Sequence, residues 1–214
     1  MKTLLGLLIS ALATLLIGGC TVPSLNPLAT PETTITDQDL VGRWGDGEND
    51  DTTYVVSQAG DTAYQLKCIP KEAGKRPLEF EMTLVKLTDS RFIDLTVTKT
   101  GVDELNDRYG TVAIPAHIFM KVKRKGDELT VWMIKNDWLI DGLKSGELKL
   151  THAAIIRAAN DDKQDYVLTG ATTELQNFVR KNAENEAAWD KPNVMRRLSD
   201  DQPLVKPAKS EPKK

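Results

Sequence analysis

The sequence predicts a mainly β domain: an antiparallel up-and-down β-barrel with a short helix near one end and a second, C-terminal helix packed outside. Three observations predict it. Apolar and polar residues alternate with a period of two between positions 41 and 134, tight turns separate the alternating runs, and two runs carry apolar residues on the face that should be wet.

The alternation is clearest in four runs. Leu78, Phe80, Met82 and Leu84 interleave with Glu79, Glu81 and Thr83, while Ile93, Leu95 and Val97 interleave with Asp94, Thr96 and Thr98. Asp89-Ser90 joins these two as a tight hairpin turn. Ile118, Met120 and Val122 form one further face, and Leu129, Val131 and Met133 form its partner across Lys125-Gly126-Asp127. Shorter strands are expected near 52–57, 62–68, 154–158 and 165–169. Hairpins so regularly spaced close into a barrel, which removes the exposed sheet edges.

Phe119, Trp132 and Ile134 break the pattern, because they fall on the outer face and need a cover. A helix over about 174–188, opened by a capping box at Thr173 and Gln176, offers one in the stripe Leu175, Phe178, Val179 and Ala183. A second helix over about 137–144 presents Trp138, Leu139 and Leu143, suited to a plug or lid at one barrel end.

The N-terminus reads as an address. Lys2 precedes a run of Leu, Ile and Ala from 4 to 17 that ends at Ile17-Gly18-Gly19-Cys20. This ending resembles the lipobox of bacterial lipoproteins. The resemblance implies cleavage before Cys20 and a thioether from its thiol to diacylglycerol, with palmitate-type acyl chains as the membrane anchor. Several chains on one cysteine make release negligible, since each buried methylene contributes about 0.8 kcal/mol. An uncleaved membrane helix is the competing reading, disfavoured by Gly18-Gly19 and by Pro23 and Pro27 directly after. Thr21 stands where such lipoproteins carry Asp for inner-membrane retention, so the expected location is the cell envelope, at the periplasmic face of the outer membrane.

The chain of 214 residues with net charge −3 is then organised as a signal peptide over 1–19, a lipidated tether over 20–36, a barrel domain over 37–190 and a disordered basic tail over 191–214. Pro23, Pro27 and Pro31 mark the tether; Pro203, Pro207 and Pro212 mark the tail. The tail's lysines and arginines suit anionic lipid or wall polymer, against the plainer reading of a solvated end, and no nucleic-acid partner is expected. With Cys20 lipidated, Cys68 has no cysteine to pair with. It shares a strand face with Tyr64 and Leu66, as a buried structural cysteine does.

The turn Asp37-Gln38-Asp39-Leu40 before Gly42-Arg43-Trp44 resembles the Gly-x-Trp start of lipocalins, and a helix outside the barrel after the last strand is also lipocalin-like. The resemblance implies that Trp44 seals the barrel floor under an arginine from the end of the last strand, for which Arg157 is the nearest match. The family's later Thr-Asp-Tyr turn is absent. Residues 115–119, 136–139 and 172–178 are similar to lipocalin-like bacterial lipoproteins without an assigned activity, a likeness spanning roughly 38–190.

Catalytic chemistry finds little footing. Gly45-Asp46-Gly47-Glu48-Asn49-Asp50-Asp51 starts like a calcium loop but has Asp51 where the sharp turn needs Gly and Ser57 where a bidentate Glu is needed, so it reads as a hairpin loop. Asn160-Asp161-Asp162 with Asp165 reads as a turn. His117 and His152 have no second His or Cys at ligand spacing, and His117 beside Phe119 suits packing better than general-base work. No nucleophile elbow or phosphate loop is present, and the expectation is a protein that is not an enzyme and takes no cofactor or metal.

The inward faces define the candidate site. Its lining is Tyr64, Leu66, Phe80, Met82, Leu84, Ile93 and Leu95, continued by Val97, Ile118, Met120, Val122, Leu129, Val131 and Met133, with no charge among them. Such a lining suits one apolar or amphipathic ligand in a slightly wide barrel, or a solid core in a narrow one. The first is the expected function; a structural or interaction lipoprotein, engaging an envelope protein or polymer from a filled barrel, is the alternative.

Overall fold

The computed structural model describes residues 22–45, 51–72, 74–98, 115–156 and 164–201. It is mainly β, an eight-stranded closed antiparallel barrel with two helices outside it. Seven staves follow in chain order: β2 (Gly42–Gly45), β3 (Thr52–Gln58), β4 (Ala63–Pro70), β5 (Leu78–Leu87), β6 (Ser90–Val97), β7 (His117–Lys125) and β8 (Glu128–Met133). The eighth, β11 (Asn193–Arg197), lies between β8 and β2 and closes the ring. A two-residue strand, β1 (Thr34–Ile35), adds to β5 at Leu84 and Val85.

Period-two alternation produces the staves as expected. Met82 and Leu84 are buried on β5 while Glu81 and Lys86 are exposed, and Tyr64, Met82, Leu95 and Ile118 align in one row across four strands. The β5–β6 turn falls one residue earlier than predicted: Leu87 pairs with Ser90, leaving Thr88 and Asp89 at the tip, with Thr88 at φ 54°. Gly126 supplies the positive φ, 60°, that the β7–β8 turn requires.

The strands expected near 154–158 and 165–169 exist as β9 (His152–Ile156) and β10 (Gln164–Leu168), but as a separate two-stranded hairpin rather than as staves. The stave that replaces them comes from the region expected to be a disordered tail. Asn193–Arg197 pairs with β8 on one side and β2 on the other. Its composition conceals this, since Met195 is its one buried apolar residue; backbone pairing on both edges holds it.

Between β8 and β11 the chain builds an outer layer from α1 (Asn136–Ser145), the β9–β10 hairpin, α2 (Thr172–Asn182) and a 3-10 turn at Glu186–Ala188. Helix α2 therefore precedes the last barrel strand instead of following it. Its start also departs from the capping-box reading. The cap position is Ala171, without a side-chain bond, because the polar residues reach elsewhere: Thr172 Oγ1 donates to the Pro27 carbonyl and Gln176 Nε2 to that of Leu28.

This layer covers the apolar outer face, as Phe119, Trp132 and Ile134 required. Val85, Phe92 and Phe119 from the barrel form one core with Leu139 and Leu143 of α1 and Leu175 and Val179 of α2. Trp138 stacks on Phe178 at 6.1 Å, and Trp189 lies 6.0 Å from Phe92. Helix α1 thus sends its buried residues into the outer core and not into the barrel interior. Lys121 lies against the Trp132 and Trp189 rings and caps the layer by donating to the Ala183 carbonyl.

Residues 22–36, expected to be a tether, are part of the folded body. Leu28 is fully buried, Ser24 bridges His117 and Leu168, and Thr34–Ile35 joins the sheet. Prolines made the segment look like a linker, yet its polar backbone finds partners in the body at Ser24, Leu25, Leu28 and Ala29.

Candidate functional site

The two barrel ends differ because the connections do. The 3-10 turn Gln38–Leu40 and the β3–β4, β5–β6 and β7–β8 turns gather at one end. Strands β2, β4 and β6 end, and β3, β5 and β7 begin, at the other end, the mouth, beside the start of α1.

The closed end is sealed by stacked polar and aromatic groups. Trp44, fully buried, donates from Nε1 to the Leu40 carbonyl at 2.9 Å, which ties the 3-10 turn across the barrel. Arg197 sits over the Trp44 ring, its Cζ 4.5 Å from the centroid. The guanidinium also donates to the Val41 carbonyl at 2.8 Å, to the Asp39 carbonyl, and to Asp127 at 3.1 Å. Gly42 makes room for it: its φ is +141°, and a Cβ there would overlap Arg197 Nη1. The spacing of Gly42 and Trp44 thus has a physical cause. Arg157 lies outside the described residues, and the arginine observed over Trp44 comes from β11.

A second cluster pins the same turn. Asp37 meets Arg91 at 2.8 Å and Arg124 at 3.3 Å, Arg124 meets Asp39 at 2.7 Å, and the Asp37 amide donates to Tyr64 Oη at 2.6 Å. Partial burial pushes the Asp37 carboxyl up, but Arg124, Arg91 and the Asp39 amide together hold it below the ordinary 3.8. A depressed carboxylate stabilises the fold at neutral pH, and this contribution is lost as pH falls below about 4 and through the depressed value. Arg124→Ala is therefore expected to move the Asp37 titration upward by carbon-detected NMR and to remove about 1 kcal/mol at pH 7. Urea unfolding at pH 7 and pH 3 checks it, since the deficit shrinks at the acid pH. The shallow depression beside this cluster, lined by Gln38, Asp39, Arg124, Asp127 and Arg197, holds cations and carboxylates already paired with one another.

The interior is apolar from floor to mouth. Trp44, Tyr64, Met82, Leu84, Ile93 and Leu95 each expose 5% or less of their surface. Leu66, Met120, Val122 and Leu129 are buried in the same core. Phe80, Val131 and Met133 pack against it only partly buried, and Val97 and Ile118, paired with Phe80 and Leu95, are also partly buried. These partly buried lining residues of β5 to β8 sit toward the mouth, so exposure along these strands rises from the sealed end to the mouth. Tyr54, Val56, Leu78 and Met195 also belong to this lining and are absent from the sequence-based set. Strand β3 hid them because Tyr54 and Val56 are flanked by Thr53 and Val55, which blurs the alternation. Met195 was hidden in the charged stretch of β11. Cys68 is buried there beside Leu66, as expected.

The remaining candidates have structural surroundings. His117 Nδ1 lies 2.7 Å from Asp94 Oδ1, while Asp94 Oδ2 accepts from the Leu28 and Ala29 amides at 2.7 and 3.1 Å. Ser24 pairs with His117 through its backbone, but its hydroxyl, almost wholly buried, donates to the Asn26 carbonyl within a local turn. The group clamps the N-terminal segment to β6 and β7. His152 Nδ1 faces the Leu150 carbonyl at 2.7 Å and its ring packs on Tyr166. Cys20, most of the loop over 45–51 and the Asn160-Asp161-Asp162 turn lie outside the described residues; among the described ones no His, Cys, Asp and Glu group could hold a metal ion. No family model, curated protein or solved structure matches this chain, so the barrel's own geometry carries the functional argument.

Proposed function

We propose that this chain is a lipid-anchored, non-enzymatic, lipocalin-like module of the cell envelope, held by Cys20 at the periplasmic face of the outer membrane. It takes one apolar or amphipathic ligand, such as a lipid fragment, into the barrel through the mouth. The observation that carries this reading is the gradient along the interior: an uncharged lining, fully buried at Trp44 and only partly buried at Phe80, Val131 and Met133. A barrel used only as a scaffold has no need of apolar side chains left partly open at one end.

Native mass spectrometry of the gently extracted protein tests it. The expected result is a reproducible lipid-sized mass adduct that disappears in Met133→Arg, a change at a partly buried mouth position. A bare mass under several detergents overturns it. The rival is a filled barrel that engages an envelope protein from its outer face, and it is favoured by the tight packing of Tyr64, Met82 and Leu84 in the closed half. The bare mass is the result that rival expects.

A further inference from the structure

The anchor and the folded body are closer than a tether would place them. Pro23 and Leu25 exchange backbone bonds with Leu168 of β10 at 2.8 and 2.9 Å, and Ser24 exchanges a pair with His117 of β7 at 2.9 and 2.8 Å. Asn26 Nδ2 donates to the Gly170 carbonyl at 2.9 Å, and Asp94 and Gln176 grip the backbone at Leu28. The segment is fastened on both flanks from Pro23 onward. Cys20 precedes Val22 by two residues and Ser24 by four, and a chain spans at most about 3.6 Å per residue. Only Thr21 therefore separates the proposed anchor residue from the described body, too little chain to act as a long tether.

A body held on so short a stem meets the bilayer with the surface around the stem. That surface carries exposed aliphatic side chains, beside Asp165, which stands in register with Ile155. Of the three exposed large hydrophobic residues among those described, Leu25 at 38% and Ile155 at 45% lie here, and the third, Val194, is on β11. Pleat alternation puts both on one side. Ser24, Leu168 and His152 stand in register with Ser24 and Leu168 buried, so Leu25, next to Ser24, and Ile155, three after His152, face outward. Two aliphatic side chains are too few for a stable protein interface. They suffice to orient a body whose affinity for the membrane comes from acyl chains.

We infer that the face made by residues 23–26 and the strands β9 and β10 is a membrane-contacting surface, its occupant the bilayer that holds the acyl chains of Cys20. The inference rests on the lipid anchor proposed above. Because Ser24 joins the first residue of β7, at the mouth end, the anchor also keeps the barrel mouth beside the lipid surface. Lipid then has a short path from bilayer to barrel, and the domain works in one orientation rather than at the end of a swinging tether.

The test uses the full chain, extracted with its native modification and placed in phosphatidylethanolamine–phosphatidylglycerol vesicles carrying headgroup spin-labelled lipid. A fluorophore is attached at Ala153→Cys, exposed on the same outward face, or at Asp61→Cys in the exposed β3–β4 turn of the closed end, with the parent chain controlling for the buried Cys68. The expected result is quenching several-fold stronger at 153 than at 61, falling to similar values when a flexible Gly/Ser insert separates Thr21 from Val22. Equal quenching at the two sites in the parent spacing overturns the inference, as does self-quenching at 153 that vanishes on mixing with unlabelled protein, which would give the face to a second copy. The mass of the N-terminal peptide separates the two failures. An unmodified Cys20 overturns the anchor and this inference with it, whereas a lipidated Cys20 with no preference for 153 overturns the orientation alone.

Discussion

Gly42→Ala should destabilise the barrel by roughly 3 kcal/mol or more, lowering the urea midpoint well below that of the parent. Two costs combine. A φ of +141° is one that L side chains rarely adopt, and holding a residue in such a region costs about 1–3 kcal/mol. The new methyl would also occupy the place of Arg197 Nη1, displacing the guanidinium from the Trp44 ring and from the carbonyls of Val41 and Asp39. Arg197→Ala in the same background separates the two, because it removes the overlap and leaves the backbone strain. The double variant should be less destabilised than the two single changes added together. Strict additivity would show that Gly42 and Arg197 do not share this space.

Asp94→Ala should release the N-terminal segment. The carboxylate is 4% exposed and serves as acceptor for two backbone amides and as partner to His117. Removing it leaves the amides of Leu28 and Ala29 without that acceptor in a buried setting, at about 1–3 kcal/mol for each unsatisfied group. A total loss of about 3 kcal/mol is expected, and Asp94→Asn, which keeps one acceptor oxygen, should lose less. Hydrogen exchange locates the effect. The Leu28 and Ala29 amides should exchange far faster, while Leu40 and Val41, bonded within the closed-end turn, keep their protection. Uniform acceleration across both regions would count against a local clamp. In the vesicle experiment the same variant should weaken the preference for position 153, because the stem is no longer fastened along its length.

The staves with strong alternation were legible from the amino acids. Over 78–84 of β5 and 93–97 of β6 every second residue is apolar and its neighbour polar, and a slip of one residue would turn the whole set to water. The outer cover was legible for a related reason: Phe119 and Trp132 on a nominally wet face implied a partner, and the α2 stripe matched it. The closing stave was not. Asn193-Val194-Met195-Arg196-Arg197 holds two apolar residues side by side rather than in alternation, and the strand exists because β2 and β8 each leave an edge that this segment satisfies. The hairpin at β9–β10 misled in the opposite sense. Its local pattern is genuinely that of strands, and nothing local says whether strands join the barrel or lie outside it.

The closed end shows the same division. A turn followed by Gly42 and Trp44 could be recognised, since glycine freedom and a large aromatic are properties of single residues. Which arginine stacks on Trp44 is a property of the closed ring, where Arg197 and Trp44 become cross-strand neighbours although more than 150 positions apart. The sequence by itself determined the strongly alternating strands, the covering helices and the apolar interior, because periodicity and residue conformation are local. Tertiary structure alone decided which strand closes the barrel, that burial of its apolar lining decreases toward one end, and that residues 22–36 pack onto the folded body. Those outcomes depend on backbone groups and buried side chains finding partners across the chain, and such pairings leave no local pattern to read.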